Sequence, residues 1–451
     1  MSVRGALLNR WDQVRNGYWF LPLVMAVGSV ALSFGALELD TYLIGRLGDV
    51  GWLYSGSAEG ARSVLTTIAT SMIGLAGVVF SITTVTLTLA AKQFGPRIFR
   101  NFMRDTGTQV VLGTFTGTFL YCLLVLRQVH GSDGGVGGFV PQVSMLLAVV
   151  LAVCGLGVLI YFIHHVAASI QTPNVLAAVA GDLRAAIEEL YPEPIGRDGP
   201  GDGDAALPAQ VPERFDAEAV PVRAGAGGYV RRIEAGALLA AARDADVVVR
   251  VERRPGAFVA AGDALLLVWP ADRAGREVIE RLRSAVAVGG QRTPVQDVTF
   301  PIEQLVEVAA LALSPGVNDL ATATMCIDRL GEGLGQLAGR RVPSAYRADA
   351  DGRLRVVAPP IDLTAALGPA LDPIRLNGRG QPGIMAHLLG ALAGVAGRAG
   401  AADAAVVLGH AVLAHAQAAE GATEYDRKKL GDALDRVRAA AAGRASEGGW
   451  E

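Results

Sequence analysis

The stretch Val64–Ala91, VLTTIATSMIGLAGVVFSITTVTLTLAA, decides the fold class. It runs for 28 residues without one Asp, Glu, Lys or Arg. About 20 apolar residues cross the hydrocarbon core of a bilayer, so this run is long enough to span one and must tilt or extend past it. Three more charge-free runs share the first part of the chain: Gly17–Leu37, Thr106–Leu126 and Gly134–Ile163, of 21, 21 and 30 residues. Four transmembrane helices are expected from them. The first run is too long for the apolar core of a signal peptide and no small-residue cleavage site follows it. Tyr18, Trp19 and Phe20 at its start suit an interfacial anchor.

The rest of the chain is of another kind. Of 451 residues, 51% are hydrophobic and 18% charged, with a formal net charge of −3. Residues 1–168 hold 10 basic and 7 acidic residues, and 169–451 hold 30 and 36. A charge-poor first part at +3 and an ordinary, acidic remainder at −6 argue against a uniformly soluble enzyme. An acidic soluble part without a basic stripe argues against nucleic acid as the main partner. Cys122, Cys154 and Cys326 form no CxxC pair, so neither a disulfide framework nor a zinc knuckle is expected.

Basic residues in the short loops orient the helices. Arg4, Arg10 and Arg15 precede the first span, and Lys92, Arg97, Arg100 and Arg104 lie between the second and third. The loop 38–63 has two Arg against four acids, and 128–133 has no Lys or Arg. The positive-inside rule then places both termini and all of 169–451 in the cytoplasm of an inner-membrane, multi-pass protein.

The second span carries a pattern. Thr66, Thr70, Gly74, Gly77, Ser81, Thr84 and Thr88 recur at steps of four and three, which aligns them on one helical face. Thr67, Ser71, Thr83 and Thr86 widen it. Such faces surround a pore in one reading, their hydroxyls replacing part of an ion's hydration. In the other they are packing surfaces, because small residues let helix backbones approach. Gly113 and Gly117 of the third span make a GxxxG and favour packing. The four runs contain no carboxylate or base, which argues against an ion-coupled carrier. His164 and His165 follow the fourth run at an expected interfacial position.

After the second span, Gly95-Pro96 breaks the helix and an amphipathic helix is expected over 96–105. Arg97, Arg100 and Arg104 share one face, with Phe99, Phe102 and Met103 on the other. With Lys92 they are placed to meet anionic headgroups, or to ring the inner mouth of a symmetric oligomer.

The expected order of parts is a cytoplasmic N-terminus over 1–16, a four-helix transmembrane domain over 17–170, a connecting helix over 171–195 and a linker over 196–216. A small β module over 217–270 comes next, then a helical region over 271–340, a mainly helical region over 341–445 with a strand near 353–357, and a flexible tail over 446–451. Arg254–Asp263 resembles the turn of a biotinyl/lipoyl-like barrel-sandwich module. The chain's lysines are Lys92, Lys428 and Lys429, so the module has no acceptor lysine and is no carrier. In Ser314-Pro315-Gly316-Val317-Asn318-Asp319, Pro-Gly ends one helix and Asn318 or Asp319 caps the next. The alternative is a ligand site made of Ser314, Asn318, Asp319 and Thr322 at that helix start.

Together SPGVNDLATA, the Gly228-Tyr229-Val230 module, and FGPRIFRNFMRD followed by QVVLGTF resemble an uncharacterised bacterial family of predicted membrane proteins with a domain of unknown function. The likeness covers roughly 5–440. It implies a four-helix membrane part with a cytoplasmic remainder, and no catalytic residue. Members usually carry Pro where this chain has Leu320.

Walker, GxSxG, HExxH and EF-hand patterns are missing. Gly333–Ala338 fits GxGxxA at the end of a helix, which is the wrong context for a dinucleotide. His410 and His415 are five apart and do not share a helical face as metal ligands would; His387 lies apart. No catalytic residue, metal or cofactor is expected. The expected fold is membrane α-helical with a cytoplasmic α+β region and a helical C-terminal part. The expected function is a cyclic homo-oligomeric ion channel lined by the second span, in contact with anionic lipid. A membrane-anchored sensor or scaffold is the alternative, and a membrane-surface enzyme the third reading.

Overall fold

Long apolar sequence must satisfy its own backbone hydrogen bonds when water is excluded, and here it does so as helices. The computed structural model describes residues 19–47, 57–95, 105–130, 139–191 and 211–447. Helix α1 spans Phe20–Leu47, α2 Ala58–Phe94, α3 Thr106–Leu126 and α4 Gln142–Ser169. All four are long and apolar enough to cross a membrane. At 37 residues α2 is the longest. At about 1.5 Å per residue it is ~55 Å long and overreaches a hydrocarbon layer of ~30 Å. The arginine helix expected over 96–105 lies outside the described residues except for Asp105, and so do 1–16 and most of the linker.

Helix α3 is the hub, touching α1, α2 and α4. Its glycines make the approach possible. A Cβ on Gly113 would lie 2.5 Å from Met25 Sδ, and one on Gly117 2.5 Å from Ser29 Oγ. The GxxxG is therefore the seam with α1. Towards α2 and α4, Val111, Leu112 and Phe115 bury against Met72, Ala76, Val79 and Phe162.

One expectation is corrected. The charge-free run ends at Leu37, but α1 continues to Leu47 and carries Asp40, only 1% exposed. The membrane part thus holds a buried carboxyl group. It accepts hydrogen bonds from Val143 N at 2.7 Å, Ser144 N at 2.9 Å and Ser144 Oγ at 2.6 Å. Pro141 precedes α4 and offers no side-chain cap, so Asp40 caps that helix from a distant part of the chain. Tyr121 donates from its hydroxyl to Ser144 O at 3.1 Å. At the end of α3, Val129 O accepts from Arg62 Nη2 at 2.8 Å and Nε at 3.2 Å.

The described residues fall into two compact units, divided along the chain between Asn174 and Val175. In the second, α5 (Thr172–Leu190) buries Val175, Leu176, Val179, Leu183 and Ile187 at helical spacing. The short helix α6 (Phe215–Glu218) leads to β1 (Val220–Arg223) and β2 (Gly228–Ile233), then α7 (Ala235–Asp244), β3 (Val248–Val251), β4 (Phe258–Val259) and β5 (Ala264–Trp269). Helix α8 (Arg276–Ser284) and β6 (Val286–Gly289) follow. Then come α9 (Thr299–Ala312), α10 (Leu320–Ala338), β7 (Tyr346–Ala348) and β8 (Leu354–Val357). Four helices complete it: α11 (Leu363–Gly378), α12 (Pro382–Ala396), α13 (Ala401–Ala419) and α14 (Glu424–Glu447).

The strands of 217–270 pair in two sheets with three strands from later sequence. One sheet has the order β1-β5-β3-β8-β7 and the other β4-β2-β6. Between them Val222, Val230, Val249, Leu265, Val268 and Val259 join Leu238 of α7 and Leu282 of α8 in one core. Strand β8 lies parallel to β3, with Val249 opposite Val356. Arg355 fixes that pairing through Nη1 to Asp246 and Nε to Asp349, both at 2.7 Å. Among the C-terminal helices, α12 packs against α10, α13 and α14.

Candidate functional site

Burial divides α2 into two faces. Ala61, Leu65, Ala69, Met72, Ala76, Val79, Ala90 and Phe94 are buried. Thr66, Thr70, Gly74, Gly77, Ser81, Thr84 and Thr88 are exposed without exception, and so are Thr67 and Ser71, while Thr83 and Thr86 are half-buried. A Cβ on Gly74 or Gly77 would meet nothing within 4 Å. Among the described residues the stripe therefore packs against no other helix. Large apolar residues flank the stripe, with Ile73, Val78, Phe80, Val85 and Leu89 of α2 exposed as Leu23, Phe34, Val153 and Ile160 of α1 and α4 are. At the start of α2 an open depression of about 580 Å³ is lined by Glu59, Arg62, Ser63, Thr66, Thr67, Thr70 and Ser71.

Three hydroxyls of the stripe, all in its second half, turn back on their own helix. Ser81 donates to Gly77 O at 3.0 Å, Thr84 to Phe80 O at 2.9 Å and Thr88 to Thr84 O at 2.9 Å. Thr67 and Thr83 do the same to Ser63 O and Val79 O, both at 2.8 Å. Each donor is satisfied without water, and the oxygens keep acceptor capacity outward. Lys92 is exposed in the last turn of α2. Arg97, Arg100 and Arg104 lie outside the described residues.

The SPGVND turn is spent on local structure. Asp319 caps α10, accepting from Thr322 N at 3.1 Å and Thr322 Oγ at 2.6 Å. Those bonds hold its carboxyl below the usual carboxylate range. Ser314 Oγ donates to Leu311 O at 2.6 Å, and Asn318 takes a left-handed φ of 50° with its Oδ1 accepting from Gln381 Nε2 at 3.3 Å. The residues are brought together, but as a helix junction on the surface. Asp319→Ala should cost about 1 kcal/mol in thermal unfolding, with Asp319→Asn retaining most of it, the usual size of an N-cap. A loss several times larger would assign the turn more than a cap.

Sequence reasoning missed two clusters at the helix ends. One is Asp40 with Ser144 and Tyr121. The other joins α3 to α4: Asp105 caps α3 through Gly107 N at 3.1 Å and Thr108 N at 3.2 Å, and faces His165 Nε2 at 2.8 Å. Tyr161 stacks on the His165 ring at 5.3 Å. The Asp105-Thr-Gly-Thr108 pattern before an apolar run was a legible cap signal, whereas nothing local announces Asp40. Among the described residues no group of three or more His, Cys, Asp or Glu is placed to hold a metal ion.

Known proteins match this chain as follows. The family described as Predicted membrane protein (DUF2254) covers residues 15–394. An uncharacterized protein of Mycobacterium bovis and one of Mycobacterium tuberculosis are each 31% identical over 404 residues, 88% of this chain and 74% of the relative. No solved structure matches it.

Proposed function

The chain belongs to the DUF2254 family of predicted membrane proteins, and from that premise we propose a cyclic homo-oligomer in the bacterial inner membrane, with α2 of each copy turned to the axis as the wall of a small-ion pore. The exposure of the entire Thr66–Thr88 stripe, while Leu65, Ala69, Met72, Ala76 and Val79 pack inward, carries this reading. A ring of identical copies presents one surface repeatedly, and α2 offers it a continuous small and hydroxyl stripe, flanked by the exposed Ile73, Phe80, Val85 and Leu89. Hydroxyl oxygens with their protons already donated inward are acceptors for a partly dehydrated cation. The basic loop residues put both termini and the 175–451 unit in the cytoplasm, as an assembly or gating part. On this reading Lys92, Arg97, Arg100 and Arg104 serve as the basic cluster that meets anionic headgroups or the inner mouth. No catalytic role is assigned to any residue.

A second reading has its own support. Because Ser81, Thr84 and Thr88 are satisfied within α2, the same face can seat dry against another protein helix, making the chain a membrane-anchored scaffold or sensor. Conduction separates the two. Purified full-length protein in planar bilayers should pass current, and Ser81→Leu or Thr84→Leu should change the unit conductance. Silence across voltage, tension and calcium overturns the pore.

Thiol accessibility supplies the second arm. Cys154 is the exposed native cysteine, whereas Cys122 and Cys326 are buried and burial pushes the Cys326 thiol up to about 12. In a Cys154→Ser background, Thr70→Cys and Thr84→Cys should therefore react with water-soluble reagents. Unreactive thiols together with silent bilayers assign the stripe to dry packing.

A further inference from the structure

The two spans that meet at the Asp105 cluster are held by a contact that needs a glycine. A Cβ on Gly107 would lie 2.6 Å from His165 Nε2, so only glycine lets the imidazole reach the first turn of α3. There His165 Nε2 lies 2.9 Å from Asp105 Oδ1 and 2.8 Å from Oδ2. The other face of the ring is covered by Tyr161, whose hydroxyl is 3.4 Å from Nδ1. Asp105 in turn accepts from Thr108 Oγ at 2.5 Å as well as from the two backbone amides of the cap. Both partners are about a quarter exposed, so protons reach the pair.

The position along the chain gives the pair its consequence. His165 lies in the last turn but one of α4, which ends at Ser169, and α5 of the second unit begins at Thr172. The joint between them is short and hydrogen-bonded, with Asn174 Nδ2 donating to Ala168 O at 2.8 Å. Of the described contacts between α3 and α4, this is the charged one at the end where the chain leaves the membrane unit.

We propose that His165 and Asp105 form a proton-operated latch that fixes the last turns of α4, and with them the entry into α5, to the start of α3. Histidine is the side chain that ordinarily titrates between pH 5 and 8. Asp105 stays ionised throughout that range: burial works against its charge, but hydrogen bonds from Thr108 and His165 prevail and hold its carboxyl below the usual range. With His165 protonated both partners are charged and the latch is strongest. With the imidazole neutral a hydrogen bond alone remains, and the latch loosens. The titratable groups facing the ring among the described residues are Asp105 from the α3 cap and Tyr161 from α4 itself; His164 and Lys92 are the other titratable groups at this end, both exposed. The latch operates whether or not α2 lines a pore.

Hydrogen exchange on the full-length protein in detergent tests it. After correction for the intrinsic pH dependence of exchange, amides over 105–110 and 165–171 should exchange roughly three- to fivefold more slowly at pH 6 than at pH 8.5, the effect expected of a partly exposed ion pair. His165→Gln keeps an N–H donor without a titrating charge and should abolish that ratio, while His164→Gln should leave it as in the parent protein. Equal corrected rates at the two pH values in the parent protein overturn the latch. So does a ratio that persists in His165→Gln or disappears in His164→Gln.

Discussion

Asp297→Ala should lower the melting temperature of the full-length protein's second unit by roughly 10 °C, corresponding to a loss of about 3–5 kcal/mol. The side chain is 1% exposed and does two jobs at once. Its Oδ1 caps α9, accepting from Thr299 N at 3.1 Å, Thr299 Oγ at 2.6 Å and Phe300 N at 3.3 Å. Its Oδ2 accepts from Arg292 Nη2 at 2.8 Å and Nε at 3.1 Å. Burial works against the charge on Arg292, yet Asp297 and Glu303 beside it hold its pKa above the ordinary arginine value. Removing Asp297 leaves a largely buried guanidinium with only Glu303 at 2.8 Å among these acids, and uncaps α9, most of whose residues are buried. Gly256 adds a second handle. It has a φ of 89°, and a Cβ there would overlap the Asp297 carboxylate, so Gly256→Ala should destabilise through the same node. Circular dichroism melts check both, and a shift of only a degree or two for Asp297→Ala would show that the pair is not holding α9 in place.

In the membrane unit the counterpart is Asp40→Ala. It strips three hydrogen bonds from the start of α4, two of them from backbone amides that no local side chain can satisfy. Each buried donor left unpaired costs about 1–3 kcal/mol, so the expected loss is about 3–5 kcal/mol. Unfolding of detergent-solubilised protein by graded SDS should therefore begin at clearly lower denaturant. Asp40→Asn retains one acceptor oxygen and should fall between. Ser144→Ala removes one hydroxyl donor together with its partner interaction, and should cost about 1 kcal/mol. Should Asp40→Ala unfold at the parent's SDS concentration, water or lipid headgroups must be capping α4 instead.

How far the site was legible follows from the range of each signal. The stripe from Thr66 to Thr88 is a period within one helix, and a period needs no tertiary knowledge to be seen. What the stripe faces is another matter. Whether Gly74 and Gly77 are a seam like Gly113 and Gly117, or an open surface, depends on which side of α2 meets α3, and both kinds of glycine look alike in sequence. The tertiary packing settled the side: Leu65, Met72, Val79 and Phe94 enter the bundle together with Ala61, Ala69, Ala76 and Ala90, and the stripe is left outside beside Ile73, Phe80 and Val85. Asp319 was readable as a cap because its partners are three residues away, and Asp40 was unreadable because its partners are more than a hundred residues on.

By itself the sequence determined that four helices form, roughly where they start and stop, and that α10 begins at the SPGVND turn. These are local consequences of apolar length, capping and helix-breaking residues. Tertiary structure alone decided that α3 is the hub, that an acid on α1 caps α4, that His165 meets Asp105, and that β8 completes a sheet begun more than a hundred residues earlier. Each of those is a pairing of distant groups, and pairings are selected by the packing of whole surfaces and by the need of buried polar groups for partners, neither of which a stretch of chain records about itself.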